Sequence, residues 1–172
     1  MHSLKDPERT RHANTKLRYR PVNLDELGHG SVRKTGLFAD SQAVVAVNNL
    51  STQPDFIVFT GDLTHTTDDP KERRRRLGEF KEIVSQLKVK NMRFMPGEHD
   101  GSLDQSKAFE EFFGPTHYTF DYKGVHFIVL DNVSDPRARL GDAQLQWLNE
   151  DLTKQNPNAR VVVFTHRPLF DL

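Results

Sequence analysis

Ionisable and amide side chains follow four apolar segments of the sequence, and several are of types that bind metal ions. Asp62 follows FIVFTG, and Glu98, His99 and Asp100 follow MRFMPG. Two later segments, FIVLD and VVVFT, lead into an asparagine and a histidine. Unpaired charge is costly to bury, so these groups must be solvated, paired or bound to an ion. Carboxylates and imidazoles without thiolates suit Mn, Fe, Zn or a similar divalent ion.

The elements that must position these residues can be predicted from hydrophobic patterns. FIVFT and MRFMP are continuous apolar runs, typical of strands buried on both faces, and RVVVF is also expected to form a strand. Lys123-Gly124 predicts a tight turn joining YTFDY to VHFIV. Helices are expected over 37–50, after Asp69-Pro70, over AFEEFFG, and after Asp142, where a leucine stripe recurs (Leu145, Leu148, Leu152). This alternation favours an α/β fold with a mixed, largely parallel sheet.

In parallel sheets, functional residues gather at the carboxyl ends of strands. If these strands are neighbours, the polar groups that end them converge at one edge. We therefore expect Asp62, Glu98, His99 and His166 to meet there.

Composition narrows the classes of protein. The chain has 172 residues, no formal net charge with 28% charged residues, and no cysteine, which excludes disulfides and thiolate metal sites. No segment approaches the ~18 apolar residues of a membrane span, and the N-terminus has no apolar signal-peptide core. We expect an irregular arm over 1–36 and an α/β domain over 37–172. By default we expect a soluble, cytoplasmic protein; an exported parent and the oligomeric state stay open.

Four consecutive arginines, Arg73–Arg76, form the one conspicuous basic run. They could bind nucleic acid or phosphate. The interpretation we favour is the solvated face of an amphipathic helix, with Glu72 and Glu79 nearby, and no nucleic-acid partner is expected.

The ordered segments FTGDLTH, PGEHD and FTHRP resemble successive motifs of the calcineurin-like metallophosphoesterases. The resemblance covers residues 37–172 and implies a β-sandwich flanked by helices. It also implies two divalent ions (Mn, Fe, Zn or similar) that share a bridging hydroxide and hydrolyse a small phosphomonoester or phosphodiester.

The resemblance assigns roles residue by residue. Asp62 would bridge both metals, and His166 would be a metal ligand. Glu98 occupies a position where the family usually has Asn; its extra charge implies tighter binding and less electrophilic metals. His99 would protonate or polarise the leaving oxygen. Asp100 would hold the His99 imidazole in its working orientation.

Two further residues are candidates for supporting the site. His65 would lie near the site or face the substrate, and a helix-capping role fits it equally well. Asn132 could support the site from its loop, although turn chemistry explains it equally.

The sequence departs from the family pattern at both ends. The family's D-x-H motif corresponds here to Asp25 and His29, weak candidate ligands spaced D-x-x-x-H. The family's later G-H-x-H motif does not occur. We therefore expect a chain truncated at its C-terminus that holds one metal or none and is impaired as a hydrolase. The alternative is a non-catalytic binding module of the same fold.

Overall fold

The structure, a computed structural model, describes residues 36–169, with side chains of the first helix described from residue 41 onward. The candidate ligands Asp25 and His29 lie outside these residues, as does the predicted arm up to residue 35. Residue 36, the last of the predicted arm, begins the first helix. The elements in this range are α1 Gly36–Asn48, β1 Ile57–Phe59, α2 Pro70–Ser85, β2 Met92–Phe94, α3 Glu98–Gly101, α4 Lys107–Phe113, β3 Tyr118–Tyr122, β4 Val125–Val129, α5 Gly141–Lys154 and β5 Arg160–Phe164.

The described strands form two sheets. Strands β1 and β2 pair in parallel, with Ile57 opposite Met92. Strands β3, β4 and β5 form the second sheet in that order, with β3–β4 antiparallel and β4–β5 parallel. The predicted hairpin turn is confirmed, since Lys123 and Gly124 have φ of 47° and 70°, as a two-residue turn requires. The mixed α/β fold with mostly parallel pairings is therefore confirmed.

The main apolar core lies between the first sheet and helices α1, α2 and α4. Its buried members are Val44, Leu63, Phe80, Val84, Leu87 and Phe109. Phe59 and Phe94 pack against this cluster from β1 and β2 but are only partly buried. The prediction that β1 and β2 are buried on both faces is wrong, because all three residues of each strand are only partly buried.

Aromatic contacts and one hydroxyl join the two sheets. The ring of Phe56, just before β1, meets Phe120 and Phe127 edge-to-face, with centroids 5.5 and 5.3 Å away. The Tyr118 hydroxyl donates to the carbonyl of Phe94 at 2.8 Å and accepts from its N–H at 3.0 Å. These contacts fix the ends of β1 and β2 relative to the second sheet.

Helix α2 carries the arginine run, defined as Arg73–Arg76. Asp69 caps the helix by accepting from the N–H of Lys71 at 2.9 Å, with Pro70 as the first helical residue. Arg73 is only 5% exposed, so the expected solvated face is wrong for this residue. A buried guanidinium needs partners, and Arg73 has an ion pair with Asp104 at 2.8 Å.

The other three arginines bind carboxylates. Arg74 pairs with Glu111, Arg75 with Glu72 and Glu79, and Arg76 with Glu72. Because their charges are paired within the protein, the run gives no support to a nucleic-acid surface.

Helix α5 is held by a buried amide as well as by its apolar residues. Gln144 accepts from the N–H of Asp131 at 2.8 Å and donates to the carbonyls of Asp131 and Leu140 at 2.8 and 2.9 Å. The expected leucine stripe is less buried than a core face, since Leu145 and Leu152 are 49% and 43% exposed. None of the helices among residues 36–169 is long and apolar enough to cross a membrane.

Candidate metal centre

The ends of β1, β2 and β5 bring Asp62, Glu98, His99 and His166 together. Asp62 follows β1, Glu98 and His99 open α3 after β2, and His166 follows β5. The convergence expected from the strand ends is therefore observed. His166 comes from the second sheet, so the centre lies where the two sheets meet and not along one edge.

Two glycines allow the loops after β1 and β2 to approach closely. Gly61 has φ of 101°, in the left-handed region, and a Cβ added there would overlap the His166 ring and lie 2.6 Å from the N of Gly97. A Cβ on Gly97 would overlap the backbone and carboxylate of Asp62. Asp62 itself has φ of 55°, a conformation that non-glycine residues adopt at a cost and often at functional sites. The close approach therefore sets the place of the Asp62 carboxylate.

Asp62 lies at the centre of the cluster. Its Oδ1 accepts from the N–H of His99 at 3.1 Å and is 3.5 Å from Nε2 of His166. Its Oδ2 is 3.8 Å from Nε2 of His99. One ligand atom from each of Asp62, Glu98 and His99 lies within 4.8 Å of the others. Two carboxylates so close together repel each other unless a cation neutralises them.

His166 has the orientation of a metal-binding imidazole. Its Nδ1–H donates to the carbonyl of Thr60 at 2.7 Å, which leaves Nε2 as the free nitrogen. Nε2 is 2.6 Å from Oε2 of Glu98. Oε2 is buried, so the His166 ring is its close polar neighbour. An imidazole nitrogen and a carboxylate oxygen placed side by side are suited to act as neighbouring ligands of one divalent cation.

The electrostatic surroundings keep Glu98 ionised. Burial opposes the charged form, but the backbone N–H of Glu98, the His166 ring in its protonated, metal-free form, and Arg167 outweigh it and lower the pKa of this carboxyl. The Nε of Arg167 lies 3.6 Å from Oε2. A charged carboxylate is the form that binds a metal ion.

Asp100 has contacts that differ from those expected. Its carboxylate is 1% exposed and accepts from the backbone N–H groups of Leu63, Thr64 and Gly97 at 2.9, 3.0 and 3.0 Å. Burial raises the pKa of Asp100, against the lowering effect of these hydrogen bonds. The carboxylate thus ties the loop after β1 to the loop after β2, and the expected bond to the His99 ring is absent among the described contacts.

The residue at Nδ1 of His99 is Thr66, whose hydroxyl makes a short contact with that nitrogen. Sequence reasoning missed Thr66, because a threonine in a polar loop carries no distinctive signal. His65 is exposed, and its ring lies 6.4 Å from that of His99, centroid to centroid. The placement of His65 beside the site matches one of its two predicted roles.

Asn132 holds the segment that carries His166. It is 3% exposed, accepts from the N–H of Arg167 at 3.2 Å and donates to the Arg167 carbonyl at 2.8 Å. The Asn132 amide thus binds both backbone groups of Arg167, the residue that follows His166, and thereby fixes the direction of the His166 side chain. Sequence reasoning also missed Arg167, although it directly follows the histidine.

Comparison with known proteins decides the family. The model of the calcineurin-like phosphoesterase family matches residues 12–171. The chain belongs to the calcineurin-like phosphoesterase family. Divalent metal ions are used by members of this family, which agrees with the ligand group at Asp62, Glu98 and His99.

Curated relatives match a large part of this chain. The human serine/threonine-protein phosphatase CPPED1 is 32% identical over 140 residues, which are 75% of this chain and 45% of that protein. A probable glycerophosphodiester phosphodiesterase GpdQ of Arcobacter nitrofigilis is 31% identical over 132 residues, 73% of this chain and 46% of that protein. A cAMP/cGMP dual specificity phosphodiesterase of Mycobacterium tuberculosis is 30% identical, covering 72% and 40%. The chain therefore spans less than half the length of these relatives.

Proposed function

We propose that this chain supplies part of the catalytic site of a metal-dependent phosphoester hydrolase that acts on a phosphomonoester or phosphodiester. The observation that carries the proposal is the meeting of Asp62, Glu98, His99 and His166, with Nε2 of His166 2.6 Å from the buried Oε2 of Glu98. The names of the relatives, which are phosphatases and phosphodiesterases, support a hydrolase over a non-catalytic module.

We assign the metal-binding role to Asp62, Glu98 and His166, with Asp62 between two ion positions. Divalent ions bound there would neutralise the carboxylates and polarise a phosphoryl group. Oxygen and imidazole donors fit Mn, Fe or Zn. Asp25 and His29 stay candidate ligands for the first ion.

His99 is the residue we assign to the leaving group. Its ring is 44% exposed at the rim of the cluster, so a bound phosphoester could reach it. Its backbone N–H is held by Asp62 at 3.1 Å, which places the imidazole next to the proposed ligands. In its imidazolium form, with hydrogen on both ring nitrogens, His99 can give the Nε2 proton to the departing alcohol oxygen.

Metal binding tests the proposal directly. Isothermal titration calorimetry of the 172-residue chain with Mn²⁺ should give saturable binding. D62N and H166Q should each weaken the affinity at least tenfold, since even the loss of a residue that only orients a metal ligand costs about 10–100-fold in affinity. D142N, at an exposed acidic position on α5, is the matched control and should bind as the parent does. Equal binding by D62N and the parent would refute the assignment.

Hydrolysis is the second measurement. With Mn²⁺, the chain and a longer parent should be assayed on p-nitrophenyl phosphate and bis-p-nitrophenyl phosphate. We expect H99Q to lower kcat at least 100-fold in whichever protein is active, within the range attributed to general acid catalysis. Activity unaffected by H99Q would remove His99 from the chemistry.

A further inference from the structure

The loop from His65 to Thr67 approaches His99 from the side opposite the metal ligands. The Thr66 hydroxyl contacts Nδ1 of His99, while Nε2 of that ring lies 3.8 Å from Oδ2 of Asp62. One ring nitrogen thus faces the loop and the other faces the centre. Since the Asp100 carboxylate is bound to backbone N–H groups, Thr66 is the described side chain in hydrogen-bonding contact with this imidazole.

The arginine run holds this loop by its carbonyl groups. Arg73 donates from Nη2 to the carbonyl of Thr67 at 2.9 Å, and Arg76 donates from Nη1 to that of His65 at 3.1 Å. These carbonyls flank Thr66 on both sides. A guanidinium presents several donors in a rigid fork, so it can bind a carboxylate and a carbonyl at once.

Both arginines are themselves anchored. Nη1 of Arg73 donates to Asp104 at 2.8 Å, and Nε of Arg76 donates to Glu72 at 2.8 Å. Arg73 is buried, and the Arg76 side chain is 32% exposed. The neighbouring Arg75 has a side chain 55% exposed and binds only Glu72 and Glu79 among its described contacts. Within the arginine run, Arg73 and Arg76 therefore hold the loop, whereas Arg75 binds carboxylates of its own helix.

We propose that Thr66 is a positioning residue for His99, and that Arg73 and Arg76 act through Thr66 by fixing its loop. The hydroxyl accepts from Nδ1–H, so that the imidazole directs Nε2 towards Asp62 and the phosphoester. This inference rests on the proposed function, because it assigns work to His99 in that reaction. It also gives the arginine run a role within the site.

The test reads the tautomer of His99 and not the rate of hydrolysis. Spectra of the full 172-residue chain with ¹⁵N-labelled histidine, recorded by long-range ¹H–¹⁵N correlation at about pH 8.5, separate the Nδ1–H and Nε2–H forms of neutral imidazole. H99Q identifies the signal of His99 by its loss. We expect the Nδ1–H form in the parent, a shift towards Nε2–H in T66V, and the parent pattern in T66S, which restores the hydroxyl.

The arginines have a matched control within the same helix. R76M should raise the Nε2–H fraction of His99 at least twofold, whereas R75M, which removes a charge one residue away, should leave the spectrum unchanged. A parent-like spectrum in T66V overturns the proposal, and so does an R75M effect as large as that of R76M.

The Mn²⁺ titration separates this inference from the proposed function. If Mn²⁺ binds neither the chain nor the longer parent but T66V shifts the tautomer, the contact stands and the hydrolase assignment fails. If Mn²⁺ binds and T66V leaves the tautomer unchanged, the hydrolase assignment stands and the role of Thr66 is refuted.

Discussion

His126 provides a pH-dependent stability test away from the metal centre. It lies on β4, is 5% exposed, and faces Asp121 of β3, its partner in the antiparallel register. Nδ1 is 2.8 Å from Oδ1 of Asp121, and Nε2 is 2.8 Å from Oδ2 of Asp151 on α5. Both ring nitrogens face carboxylates, so both must carry hydrogen for both contacts to be favourable. The charged imidazolium therefore ties the hairpin to α5.

The sign of the pH dependence follows from this geometry. Burial opposes the charged ring, but the hydrogen bonds to Asp121 and Asp151 outweigh it and raise the pKa of His126. A raised pKa in the folded state means that the stabilisation is present in full below the ordinary histidine value of about 6.5. It is lost as the pH rises through the folded-state pKa.

The magnitude comes mainly from one of the two contacts. The Asp121 side chain is 77% exposed, so solvent screens it and its contribution is less than about 1 kcal/mol. The Asp151 side chain is 17% exposed, and a hydrogen bond to a charged group contributes about 1.5–3 kcal/mol. We therefore expect H126Q to lower the free energy of unfolding by about 2 kcal/mol at pH 5.5 and by less at pH 8.5.

Urea unfolding followed by circular dichroism at pH 5.5, 7.0 and 8.5 measures this difference. H117Q is the control for the loss of a histidine ring, since the His117 ring contacts Trp147 at 4.9 Å between centroids. A parent-minus-H126Q difference that is constant or grows with pH would refute the imidazolium bridge.

Three further substitutions test the site and the fold. G97A should abolish Mn²⁺ binding in a calorimetric titration, since its methyl group would overlap Asp62; unchanged affinity would contradict the close packing. R73M should lower the free energy of unfolding, measured in urea, by about 3 kcal/mol, because it breaks the buried ion pair with Asp104. A loss below about 1 kcal/mol would show that this pair is dispensable. R167M should tighten Mn²⁺ binding about threefold, because it removes a cation 3.6 Å from the Glu98 carboxylate and Coulomb repulsion of the ion is modest at a high effective dielectric constant. Weaker binding would assign Arg167 a supporting role instead.

The order and type of the elements were predictable from the sequence, except for the short helix α3. Asp69-Pro70 marked the start of α2, and Lys123-Gly124 marked the hairpin. Each signal is local: a capping carboxylate, a fixed proline φ or a residue tolerant of positive φ acts on its immediate neighbours. The candidate ligands were predictable for the same reason, since the ends of apolar strands can be located without knowing their neighbours.

Only the tertiary structure decided what those residues contact. The Asp100 carboxylate binds backbone N–H groups of the loop after β1. Thr66, and not Asp100, contacts the His99 ring. Arg73 is buried although its four-residue run is typical of a solvated surface. These outcomes depend on pairs 31–37 residues apart in sequence, brought together by loops whose paths no periodic pattern encodes. Periodicity fixes which face of an element is apolar, whereas hydrogen-bond partners depend on how closely separate elements approach.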